Sequence, residues 1–95
     1  MAVGITVELT IKEGANEEFE AAMAGARARV KAEDAGCRMY DLFRSVDDPT
    51  SYVMVEKWDS EDDLAAHMKS PAMGEMAKVA PFMAGAPVMT KYESA

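Results

Sequence analysis

"CRMYDLFRSVDDPTSYVMVEKW", residues 37–58, carries two runs rich in β-forming residues, Cys37–Val46 and Ser51–Trp58, around the turn-forming stretch DDPT at 47–50. Two strands joined by so short a turn predict an antiparallel hairpin. The elements on either side of that hairpin decide the fold. Upstream, VGITVELTIK (3–12) alternates, with Val3, Ile5, Val7, Leu9 and Ile11 on one face, which is the period of a strand. In EGANEEFEAAMAGARARVKAEDAG (13–36) the period changes, and Phe19, Met23, Ala26 and Val30 form the apolar stripe of a helix. Asn16 is the expected N-cap, Glu17, Glu18 and Glu20 suit the positive end of the helix dipole, and Gly36 is placed to end the run.

Downstream, Ser60 and Asp63 in SEDDLAAHMK (60–69) have capping-box spacing, so a second helix starts there. Pro71 interrupts it, AMGEMAKVA (72–80) adds a turn or two of helix, and PFMAGAP (81–87) leads to a last strand near Val88–Tyr92. The order β-α-β-β-α-β is the split arrangement of a ferredoxin-like α+β fold, with a four-stranded antiparallel sheet and both helices on one face. All 95 residues make one domain.

Alternation on the third strand sends Val53 and Val55 one way and Tyr52, Met54, Glu56 and Trp58 the other. The valines are expected under the helices and the larger set on the open face of the sheet. Tyr, Met and Trp together form an apolar surface that calls for a partner. A homodimer with two sheets packed face to face would cover it and enclose a cavity between sheet and helices.

A net charge of −7 lacks the basic stripe that nucleic acid or an anionic membrane surface would need, so both are set aside. Cys37, the single cysteine, has no internal disulfide partner and is expected as a buried or half-buried thiol. With no basic-then-apolar leader and no membrane span, a cytoplasmic protein is expected. One histidine, no cysteine pair and no glycine-rich phosphate loop leave no metal centre or nucleotide-cofactor motif to assemble from the chain, and DSEDD (59–63) reads as a helix start rather than a metal cage.

The stretch from Gly36 to Pro71 resembles the antibiotic biosynthesis monooxygenase superfamily of dimeric α+β barrels, in particular its quinol-monooxygenase-like branch. The residues that carry the likeness are Gly36, Cys37, Tyr40, the E-x-W of Glu56 and Trp58, and His67 ahead of Ser70 and Pro71. The resemblance implies a small cytoplasmic homodimer that oxidises a phenolic or quinol-type aromatic with O2 and without flavin, metal or other cofactor. Haem-degrading relatives use an Asn on the first strand together with a Trp and a His, and 3–12 contains no Asn. Because one fold hosts many functions, two alternatives stay open: a non-catalytic barrel that binds a small hydrophobic molecule, and a small-molecule isomerase.

Against that background His67 is the candidate base, since an imidazole can accept a proton near neutral pH. Asp63, four residues earlier on the helix, is placed to orient it. The alternative is a histidine that only packs at the helix–sheet boundary. Trp58 is either a core anchor or a flat pocket wall, and strand phase favours the wall. Glu56 is either a buried acid with a raised pKa or the partner of Arg44 or Arg38 on the neighbouring strand, and the ion pair is expected. Tyr40 either donates to a substrate oxygen or bonds a neighbouring strand. Met54 shares the face of Trp58, and Phe82 is a candidate wall beside a candidate cavity lip at 71–83. The other methionines of the second half, Met68, Met73, Met76, Met83 and Met89, are read as core filling.

Overall fold

The computed structural model describes residues 2–95. Strand β1 (Val3–Thr10) leads into helix α1 (Asn16–Glu33), then the hairpin of β2 (Cys37–Arg44) and β3 (Ser51–Trp58), helix α2 (Glu61–Met68) and edge strand β4 (Val88–Glu93). Between α2 and β4 the chain makes two 3₁₀ segments, Pro71–Lys78 and Ala80–Phe82. The strands lie in the order β2-β3-β1-β4, every neighbouring pair antiparallel. This is the ferredoxin-like arrangement. The expected tenth-residue run of β1 ends at Thr10, and Ile11 instead makes an isolated bridge to Met83 that stitches the second half of the chain to the first.

One expectation is reversed. Tyr52, Met54, Glu56 and Trp58 are all buried and face the helices, while Val53 and Val55 are only half-buried and lie on the outer face. Register explains it. Val3 pairs with Trp58, Ile5 with Glu56 and Leu9 with Tyr52, so the buried face of β1 carries the large side chains of β3 with it. Alternation fixes which residues share a face and leaves open which face is covered.

Local chemistry sets the joints. The β2–β3 turn is tied by Ser45 Oγ, which accepts from the backbone N–H groups of Asp47 and Asp48, and by Asp48 Oδ1, which accepts from Thr50. The two bonds from Thr50 hold the Asp48 carboxyl below its ordinary pKa. At α2, Ser60 Oγ accepts from the Asp63 backbone N–H at 3.1 Å and donates to the Asp63 carboxylate at 2.9 Å, the expected cap. Asn16 does not cap α1. It lies inside the first turn and donates to the Pro49 carbonyl and the Tyr52 hydroxyl, anchoring the helix to the hairpin turn and to β3.

Gly36 joins α1 to β2 with φ +80°, and a Cβ there would run into the Asp63 carboxylate. Its carbonyl also accepts from Asp59 N–H at 2.9 Å, next to the end of β3. Both the left-handed backbone and the close approach demand glycine. Gly36→Ala is expected to cost at least about 1–2 kcal/mol, the handedness penalty alone. Urea unfolding followed by circular dichroism checks this, and a variant as stable as the parent would refute the packing described.

Candidate functional site

The helix-facing side of β3 puts Glu56 in the centre of the sheet, two residues before Trp58. Trp58 is fully buried, and its indole N–H donates to Glu56 Oε1 at 3.1 Å. From the other layer, α2 lowers His67 onto Trp58, with ring centroids 4.4 Å apart and planes 29° from parallel. Tyr40, the cross-strand partner of Glu56, meets the His67 ring edge-on at 5.4 Å. Two aromatic rings therefore fix the imidazole from two directions.

The polar contacts of His67 are asymmetric. Nδ1 lies 2.6 Å from Asp34 Oδ2, and the same carboxylate oxygen accepts from Ser70 Oγ at 3.0 Å. An ionised carboxylate can only accept, so Asp34 places the ring proton on Nδ1 and leaves Nε2 as the basic nitrogen. Nε2 in turn lies 4.0 Å from Glu56 Oε1, beyond a direct hydrogen bond but within the reach of a bridging water or a substrate oxygen. Imidazole and both carboxylates are almost fully buried.

In front of this cluster is a cavity of about 410 Å³. Its lining includes Val7, Leu9 and Val79 and seven of the chain's nine methionines: Met23, Met54, Met68, Met73, Met76, Met83 and Met89. The only polar side chains among the lining residues are Tyr40, Glu56 and His67. Met68 and Met89 are about half exposed and mark the mouth. Such a pocket is of small-molecule size, and unbranched thioethers adapt to irregular apolar ligands. The expectation that the later methionines fill the core holds in part: Met76 and Met83 pack half-buried against it, and Met68, Met73, Met76, Met83 and Met89 also line the cavity.

Burial is the main cause of the electrostatic shifts here. It raises the Glu56 carboxyl, against smaller opposing effects of the Trp58 hydrogen bond and the His67 charge. Burial, followed by the field of Glu56, also raises the Tyr40 phenol and the half-buried Cys37 thiol. Tyr40 is thereby a neutral donor and Cys37 a poor nucleophile.

Of the sequence-selected residues, the structure gathers His67, Glu56, Tyr40 and Met54 on the cavity wall. Trp58 stands one layer behind, in contact with His67 and Glu56 but not among the lining residues, so it positions groups rather than forming a wall. Phe82 packs half-buried against the core, also outside the lining. Arg44 points to the exposed end of the sheet and pairs with Glu20 at 3.5 Å. The expected ion pair of Glu56 with Arg44 or Arg38 is absent among the described residues. Arg44 is on the face of Glu56 but stands four residues along β2 from Tyr40, the cross-strand partner of Glu56; it lies opposite Tyr52 and is held by Glu20, while Arg38 sits at a register irregularity at the start of β2 and bonds Asp59. Asp63 does not orient His67, since its carboxylate is engaged by the Ser60 cap. Asp34 does, and sequence reasoning missed it. It lies 33 residues from His67 in a segment that reads as a helix tail, and no local spacing links the two. Among the described residues no group of three or more His, Cys, Asp or Glu side chains is placed to hold a metal ion.

A family model described as "Antibiotic biosynthesis monooxygenase" matches residues 2–79. Among solved structures, a candidate antibiotic biosynthesis monooxygenase from Caulobacter crescentus is 30% identical, with 99% of this chain and 90% of that one covered and a TM-score of 0.93. A mutant of SnoaB, a cofactor-independent oxygenase from Streptomyces nogalater, superposes with a TM-score of 0.85 at 21% identity, covering 98% and 92% of the two chains. Rv0793 from Mycobacterium tuberculosis gives 0.86 at 22% identity, covering 100% and 96%. At the identities of the last two, the likeness is one of fold. The comparison with curated proteins returns no match.

Proposed function

Because the chain belongs to the antibiotic biosynthesis monooxygenase family, we propose that it oxidises a small quinol or phenolic aromatic with O2, with no cofactor, and that His67 is the base. The observation that carries this reading is the cavity itself: an apolar, methionine-walled space whose polar groups are confined to His67, Glu56 and Tyr40. An electron-rich phenolate reacts with O2 directly once formed. The protein's work is then to bind a flat apolar ring, remove a proton and exclude water. Electrons balance without an external reductant. The substrate gives up two hydrogens and four electrons, one oxygen atom enters it as a new carbonyl, and the other leaves as water.

His67 Nε2 takes the phenolic proton, with the charge that develops on the ring offset by Asp34 on the far side. Tyr40 donates toward the substrate oxygen, and Met54 and its neighbours hold the ring. Trp58 acts from behind by fixing the plane of the imidazole. The test is oxygen consumption by chelator-treated protein with a panel of hydroquinones and anthrone-like phenols. Uptake coupled to formation of the oxidised product is expected. No uptake above background for any compound would sink the reading, and binding without uptake would favour a carrier. Product isomers formed without O2 would favour an isomerase.

The working unit of this reading is a cytoplasmic homodimer joined through the open sheet face. No helix among the described residues is long and apolar enough to cross a membrane. The outer face carries Met39, Phe43, Val53, Val55, Val88 and Tyr92, of which Phe43, Val88 and Tyr92 are half or more exposed. Edge strand β4 is exposed at every residue. Apolar surface in one stretch of sheet favours a two-fold partner, and a 95-residue domain gains from it. Light scattering is expected to give twice the 10.3 kDa chain mass, and Tyr92→Lys is expected to shift it toward the monomer. A parent that stays at the chain mass at all concentrations would remove the dimer.

A further inference from the structure

Glu56 is the least expected group in the cavity. It lies near the middle of a central strand, 6% exposed, with one hydrogen-bond donor, the Trp58 indole. Neither nearby arginine reaches it, since Arg38 is held by Asp59 and Arg44 by Glu20. The groups facing it are His67 from α2, with Asp34 behind, and Tyr40 and Cys37 from β2. His67 is thus flanked by two carboxyl groups in different settings. Asp34 accepts from two side chains on the Nδ1 side, and Glu56 faces Nε2 and the cavity.

Resting on the oxygenation reading above, we propose that Glu56 is a second catalytic residue, the acid that protonates the departing oxygen of the substrate hydroperoxide and so completes the reaction. Oxygenation of the carbanion-like phenolate forms a C–O bond and, with return of the first proton from His67, a hydroperoxide. To finish, the remaining hydrogen on that carbon leaves to His67, the C=O bond forms, the O–O bond breaks, and the outgoing hydroxide needs a proton to become water. Glu56 supplies it. His67, now carrying the last substrate proton, restores Glu56 through the water just formed, Nε2 lying 4.0 Å from the nearer carboxyl oxygen. Substrate plus O2 thereby becomes carbonyl product plus water, with both residues returned to their starting states. Burial without a cation, which favours the protonated carboxyl, equips Glu56 for the task. Trp58 N–H on Oε1 leaves the second oxygen to carry the proton.

Glu56→Gln keeps the shape and the acceptor for Trp58 and removes the proton. The variant is expected to go on consuming O2 but to release substrate hydroperoxide, measured with a ferrous-oxidation dye assay. Its carbonyl product per O2 should fall at least about tenfold, a conservative figure for loss of a general acid. Glu56→Asp should recover part of the yield. Unchanged product per O2 in the glutamine variant overturns the assignment while the oxygenation reading stands; no uptake by the parent overturns that reading first. Should the variant not fold, infrared difference spectroscopy of the parent decides. Among the 17 acidic residues one buried group should show a protonated carboxyl band at neutral pH, and absence of that band overturns the proposal.

Discussion

Oxygen uptake by His67→Ala is expected to fall at least about 100-fold below the parent, the low end of what a positioned base contributes. The side chain is 2% exposed, stacked on Trp58 and bonded to Asp34, so its position is over-determined and no other imidazole exists to replace it. Asp34→Asn should follow it closely, with kcat reduced and KM little changed. An amide can donate as well as accept, so the ring proton is no longer confined to Nδ1 and Nε2 is no longer reliably the basic nitrogen. A purely structural Asp34 would move the melting temperature and leave the pH profile of kcat alone. The comparison therefore needs both measurements on the same preparation. Unchanged uptake in His67→Ala, with product still formed, would remove the histidine from the chemistry.

Trp58→Ala should give the largest loss of stability, about 3–5 kcal/mol, from removal of a fully buried aromatic side chain and the space left behind. Against a total of roughly 5–15 kcal/mol for a domain, that is a large fraction. The melting temperature should fall by about 12 °C or more. Two further consequences follow from its contacts: Glu56 loses its hydrogen-bond donor, and His67 loses the plane on which it rests. Trp58→Phe separates them, because it keeps a ring and deletes the N–H. That variant should lose less stability than Trp58→Ala, and its carbonyl yield per O2 should shift in the direction of Glu56→Gln. Thermal unfolding by circular dichroism checks the first part. A drop in melting temperature below about 5 °C for Trp58→Ala would contradict the packing described here.

The order of elements was legible because each depends on nearest neighbours in the chain. The change from period two to 3.6 between residues 12 and 19, the DDPT turn, the Ser60 cap and Gly36 all act within a few residues of themselves. The capping of α1 was misread for a related reason. Asn16 has N-cap chemistry, and only its tertiary neighbours Pro49 and Tyr52 reveal a competing use of the amide. At the site, His67, Glu56 and Tyr40 stood out by type, as the residues whose chemistry is costly to bury without a reason. Their partners did not.

By itself, then, the sequence determined the βαββαβ order, which residues share each strand face, and which side chains have reactive chemistry. These follow from backbone sterics and local periodicity. Only the tertiary structure decided that Trp58 and Glu56 turn inward, that Asp34 rather than Asp63 holds His67, and that the methionines line a cavity as well as packing in the core. Alternation is symmetric between the two faces of a sheet, and a hydrogen bond across 33 residues leaves no periodic trace in the chain. Register between β1 and β3 breaks the first symmetry, and packing of α2 against the end of α1 and the sheet makes the second contact.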